Sequence, residues 1–200
     1  MNQRGQTLIE VIIAVSIMLI GIISIVSLSI TSRMISTISS QELLAAHLAR
    51  EGVEVIRNIR DSNWLQRQSD GTTSWDAELY SGTDYTAVAI FKYTGTSPVG
   101  GQWTLNWTPN STSHAMTKIY LNIGHIYTSY TGATPEVTPY RRLITLNPIC
   151  SDGSIITSST CTASGLTKVG IQVISRVEWS DREKKHNKTA EERIYDWKNY

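Results

Sequence analysis

The chain is short of cysteine, of proline and of any surplus of charge. Cys150 and Cys161 are its only cysteines among 200 residues, which leaves room for one disulfide at most. Lys and Arg number 18 against 17 for Asp and Glu, a net charge of +1. That balance gives no argument for nucleic acid as a partner. There is no Gly-rich phosphate loop and no Gly-x-Ser-x-Gly elbow. His47, His114, His125 and His186 stand apart from one another and from any cluster of acids, so none has metal-ligand spacing. A calcium loop needs several acids close together, and Asp152 is alone between the cysteines. No catalytic constellation, metal or cofactor is expected.

The most informative absence is local. Residues 11–32 contain no charged side chain and are mostly Ile, Val, Leu and Met. As a helix this run spans about 33 Å, the thickness of a bilayer hydrocarbon core. A cleaved secretory signal fits it poorly. The run exceeds the usual apolar core of such signals, and only Ser27, Leu28 and Ser29 come near a small-x-small cleavage site. An ordinary single-span anchor explains its length but not Glu10 at its mouth. An acid at the edge of a membrane span is costly and needs a partner or a role.

The start of the chain, Met1, Asn2, Gln3, Arg4 and Gly5, then Gln6, Thr7, Leu8, Ile9 and Glu10, then the apolar helix, resembles the class III signal of type IV pilins and pseudopilins. The resemblance implies a short basic leader cut by prepilin peptidase between Gly5 and Gln6. It also implies methylation of the new N-terminus and an assembly role for Glu10. Gln6 stands where the family usually has Phe. Cleavage would create an α-amine that is mostly protonated near neutral pH. A lone carboxylate among packed apolar helices is expensive. Pairing Glu10 with the amine of a neighbouring subunit would offset both costs and set the axial register. Arg4, the only charge in the leader, is consistent with a leader retained on the cytoplasmic side.

The helix is expected to continue past Arg33. Met34, Ile35, Ile38, Leu44, Leu48, Val55, Ile56 and Ile59 recur near helical spacing, and there is no proline between Thr31 and Leu65. Arg50 with Glu54, and Arg57 with Asp61, are i,i+4 pairs on the other face. Gly52 is a mid-helix cost of about 1 kcal/mol relative to Ala. A helix from Leu8 to about Asn63 would be roughly 84 Å long. Asp61, Ser62, Asn63 and Trp64 are read as its end, and residues 68–74 as a loop.

Beyond that the pattern is one of strands. Residues 85–93, 116–130, 140–146 and 167–179 read as strands, the second with a bend at Gly124. Residues 94–102 read as a turn region with Pro98, Gly100 and Gly101. Asp152 and Gly153 read as a turn, and residues 184–188 as a charged turn. Residues 189–197 read as a last strand or short helix. The basic run at Lys184, Lys185, His186, Asn187 and Lys188 could touch DNA or an anionic surface, but a solvated turn is the reading preferred. Trp103 and Trp107 would share one face, packing on the core side rather than forming an adhesive patch. The Asn106, Asn110 and Asn187 sequons are read as incidental.

The fold class is therefore α+β: a long N-terminal helix, its N-terminal half transmembrane, packed on an antiparallel β-sheet head. The division expected is residues 1–5 leader, 6–32 transmembrane and filament-core helix, 33–65 amphipathic continuation, and 66–200 β-rich head. Residues 49–61, the strand ending at Trp179 and the terminal segment ending at Trp197 resemble minor pilins and pseudopilins more than a major pilin. The resemblance implies a structural, non-enzymatic filament subunit at the bacterial cytoplasmic membrane. Its implied partners are prepilin peptidase, other pilin subunits, a membrane assembly platform and the lipid bilayer. A pilus, type II secretion or DNA-uptake machine would all fit. A single-span binding protein with an exported β-rich recognition head is the rival. A head facing an oxidising compartment could pair Cys150 with Cys161; two free thiols are the alternative.

Overall fold

The computed structural model describes residues 7–80, 82, 84–93, 101–121, 127–128, 136–157, 160–181 and 183–196. The chain divides into two compact units, Met1–Leu43 and Leu44–Tyr200. One helix, α1 (Leu8–Asp70), contributes to both. In the first unit its apolar side chains are exposed all round, from Leu8 and Ile9 through Ile30. This stretch is long and apolar enough to cross a membrane.

In the second unit α1 changes character. Ala45, Leu48, Ala49, Gly52, Val53, Val55, Ile56, Ile59 and Asn63 are buried, an i, i+3, i+4 stripe that places one face against a sheet. The stripe carries the helix past the expected end. Trp64 is buried rather than terminal, and α1 stops at Asp70, where Gly71 takes φ +69° and donates to the Arg67 carbonyl at 2.9 Å. Glycine at the left-handed position closes the helix without a Cβ penalty. Residues 68–70, expected in a loop, are helical.

Seven strands follow among the described residues: β1 (Thr86–Tyr93), β2 (Gly101–Asn106), β3 (Lys118–Leu121), β4 (Tyr127–Thr128), β5 (Glu136–Cys150), β6 (Lys168–Asp181) and β7 (Lys184–Tyr195). All their pairings are antiparallel. β5 is the spine. β6 runs along one edge of it, with β7 outside β6. β3 and β1 share the other edge, β3 at the start of β5 and β1 at Ile144 and Thr145. Residues 116–130 are thus not one strand. Ala115–Thr117 is a 3-10 turn, β3 and β4 are separate, and the bend at Gly124 lies outside the described residues. Gly101 and Gln102, expected in a turn, open β2.

The charged turn expected at residues 184–188 is instead the first half of β7. Lys184 pairs with Asp181, and Glu183 just before it takes φ +69°. The lysines read as turn residues because they are solvated. They are solvated because β7 is an outer strand, where charge is common.

Strand alternation sorts the head into two faces. Ile144, Leu146, Ile171, Val173 and Ile194 meet Val53, Ile56, Ile59 and Trp64 of α1 in the main core. Ala45, Leu48 and Ala49 meet Ile119, Tyr140, Val177 and Trp179 in a second cluster. On the far face Val88, Ile90 and Leu143 form a small cluster with Met116. Trp103, Leu105 and Trp107 pack against the main core, so the tryptophans line the inner side of the sheet.

Candidate functional site

Glu10 lies in the first turn of α1, three residues after Thr7, whose carbonyl accepts from the Glu10 amide at 3.0 Å and from the Val11 amide at 3.4 Å. Its side chain therefore lies at the N-terminal, positive end of the helix dipole. Leu8, Ile9, Val11, Ile12 and Ile13 around it are exposed. Gly5 and Gln6 lie outside the described residues. The hydroxyls of Ser16, Ser24 and Thr31 donate back to the carbonyls of Ile12, Ile20 and Ser27 at 2.8, 2.8 and 3.0 Å. In an apolar environment these side chains need no outside partner.

The head holds its own segment of α1 through polar contacts that the stripe alone does not suggest. Arg142 of β5 is fully buried, and its Nη1 donates to the Leu48 carbonyl at 3.1 Å. Glu51 stands 3.7 Å from the same guanidinium. Burial pushes Glu51 up from its ordinary range and pulls Arg142 down, and the charge of each offsets only part of the shift of the other. Gly52 fits beside this pair because it has no side chain: a Cβ there would lie 2.2 Å from the Ser175 hydroxyl and 3.1 Å from Arg142 Cδ. The signal for Arg142 was parity. It shares a strand face with Tyr140, Ile144 and Leu146, all buried.

Arg57 reaches across to Glu192 on β7 and also contacts Glu54, and Arg60 pairs with Asp61 at 2.8 Å. These contacts occupy Glu54 and Asp61, the acids expected to pair along the helix with Arg50 and Arg57. A residue four positions away competes poorly with a strand that brings a carboxylate to the same guanidinium. After the helix, Asn63 Nδ2 donates to the carbonyls of Trp75 at 3.2 Å and Ala77 at 2.7 Å, folding residues 71–79 back onto α1. Lys168 locks that loop. Its ammonium pairs with Asp76 and lies 4.6 Å from the Tyr80 ring centre and 5.8 Å from that of Trp75. Burial raises the Asp76 carboxyl, but hydrogen bonds from Lys168 and Ser74 and the Lys168 charge outweigh it and hold the group below its ordinary value.

Cys150 and Cys161 are bonded, with Cα atoms 5.5 Å apart and both residues buried. The bridge ties the end of β5 to the 3-10 turn Cys161–Ser164. Between them Gly153 takes φ +83° and Asp152 Oδ1 accepts from the Ser154 amide at 2.9 Å, which makes the turn read at Asp152 and Gly153. Of the histidines, His47 is exposed, His114 Nδ1 accepts from the Met116 amide at 3.2 Å, and His186 stacks on Trp179. His125 lies outside the described residues. Among the described residues no group of three or more His, Cys, Asp or Glu is placed to hold a metal ion.

Residues 1–26 match the family model of the prokaryotic N-terminal methylation motif. No curated protein and no solved structure gives a significant match to the chain. The motif indicates prepilin-type processing. With the long apolar helix and the antiparallel sheet that follows, it is consistent with a type IV pilin-like protein.

Proposed function

We propose that this chain is a minor pilin or pseudopilin, a non-enzymatic structural subunit of a type IV pilus-like filament. The observation that carries the reading is the composition of one helix start. Glu10 occupies the first turn of α1, and the apolar residues after it are exposed on every side with no charge before Arg33. Within the matched motif, that surface is suited first to lipid and then to other helices of its kind.

In this reading prepilin peptidase cuts between Gly5 and Gln6, and the new amine is methylated. The amine of one subunit meets Glu10 of the next as a membrane assembly platform adds subunits. Methylation keeps the positive charge, so the pairing survives it. The segment of α1 beyond Leu44 belongs to the head, where Arg142, Glu192 and Asn63 hold it. The head would then face outward from the bacterial cytoplasmic membrane.

The test is the mature N-terminus. The chain is co-expressed with a prepilin peptidase and analysed by mass spectrometry. A chain beginning at Gln6, carrying one added methyl group, is the expected product. Retention of residues 1–5 overturns the reading and favours a single-span anchored binding protein.

A further inference from the structure

β7 is hydrogen-bonded to β6 along one edge, and among the described residues no strand pairs with the other. Such an edge offers a row of backbone donors and acceptors to any extended chain that fits it. The side chains decide which chain fits. On the solvent face of β7, Lys185, Asn187, Thr189, Glu191 and Arg193 are all exposed, and Glu191 also accepts a hydrogen bond from Gln172 Nε2 of β6 at 2.6 Å. From Lys185 to Glu191 that series is complementary to itself when read backwards.

We propose that the outer edge of β7 pairs with β7 of a second copy of this chain, antiparallel, about a two-fold axis at Lys188. In that register Lys185 faces Glu191 of the second copy and Asn187 faces Thr189. Symmetry repeats each pair. Moving the axis one residue towards the N-terminus carries Glu191 past the end of the second copy's strand, and one residue the other way sets Lys185 against Arg193. A parallel, in-register pairing sets every charge beside its own kind. Of these arrangements the antiparallel one about Lys188 is the one that sets Lys185 against Glu191, and like charges directly opposite destabilise a strand pair. Lys188 meets its own copy on the opposite face, the one repulsive pair of the arrangement.

The arrangement has a directional consequence. Leu48 and Ala49 of α1 cluster with Val177 and Trp179, which pair with Lys188 and His186, whereas Arg57 meets Glu192. The helix segment of the head thus runs the same way as β7. A two-fold axis normal to the sheet reverses it in the second copy. The helix segments of the two heads therefore run antiparallel to one another across the contact.

The experiment uses the full chain in detergent micelles at low salt, with self-association followed by sedimentation equilibrium. Wild-type protein is expected to dimerise. Lys185→Glu alone, and Glu191→Lys alone, each weaken association roughly tenfold, because two symmetry-related pairs turn repulsive. The double variant Lys185→Glu with Glu191→Lys restores it. All sites are exposed, and circular dichroism checks that each variant is folded. A monomeric wild type overturns the proposal. So does association indifferent to the charge changes, as contact through the apolar helix would be. The measurement needs no peptidase cleavage, so its failure is distinct from failure of the filament reading.

Discussion

Gly52 and Ser175 are in such close approach that a Cβ on Gly52 would sit 2.2 Å from the Ser175 hydroxyl. Helix propensity argues for Ala at this position by about 1 kcal/mol. Packing argues the other way, since overfilling a tight contact costs about 1–3 kcal/mol, and Arg142 beside it has no room to yield. Gly52→Ala is therefore expected to destabilise the head by roughly 1–2 kcal/mol in denaturant unfolding. Adding Ser175→Gly should recover part of the loss. A stabilised Gly52→Ala would show that the helix can lift from the sheet at no cost.

The Asp76–Lys168 pair gives stability a dependence on pH. The folded carboxyl titrates below its unfolded value of about 3.9, so the folded state holds fewer protons than the unfolded one. Its contribution is complete above that value and is lost as pH falls through the folded value. Asp76→Asn should lower stability at pH 7 by about 1–2 kcal/mol, between the values for exposed and buried pairs. The loss should shrink as pH falls from the unfolded value through the folded one. A loss that stays constant throughout the acid range would assign the effect to packing.

Reduction of the Cys150–Cys161 bridge releases a short loop, for which chain entropy predicts a loss of roughly 3 kcal/mol. Both cysteines are buried, so the bridge should resist mild reductant in the folded protein and yield once denaturant is added. Thiol alkylation followed by intact mass reads this directly. Two alkylatable thiols in the native, exported protein would contradict the bonded state.

Glu10→Ala removes the one charge at the mouth of the apolar run. Membrane insertion should be intact or improved, since a carboxylate near the bilayer is costly. Assembly should fall, because the neighbour's amine loses its partner. Normal incorporation of the variant into filaments would sink the register role of Glu10.

Much of this molecule is legible residue by residue. The uncharged run at residues 11–32 needs no tertiary structure to be a candidate span, since length and composition alone set its relation to a bilayer. The spacing of Leu48, Val55, Ile56 and Ile59 places them on one face of a helix by geometry alone, and the alternation at residues 168–179 marks a strand in the same way. The prepilin-type motif is local as well, because its residues lie within ten positions of one another.

What tertiary structure decided is where local rules compete with distant partners. α1 passes residues 61–64 because Asn63 finds the Trp75 and Ala77 carbonyls and Trp64 finds the core. Residues 184–188 are a strand because β6 supplies a ladder to which solvated lysines can pair. Arg57 pairs with Glu192 on β7 and with Glu54, not with Asp61 four residues on. Gly52, a penalty when the helix is considered alone, is the residue that lets Arg142 and Ser175 approach the backbone. Chain-local periodicity determines which element forms and which face is apolar. Only the folded head determines where an element stops and which charge it meets, because those depend on groups far away in sequence.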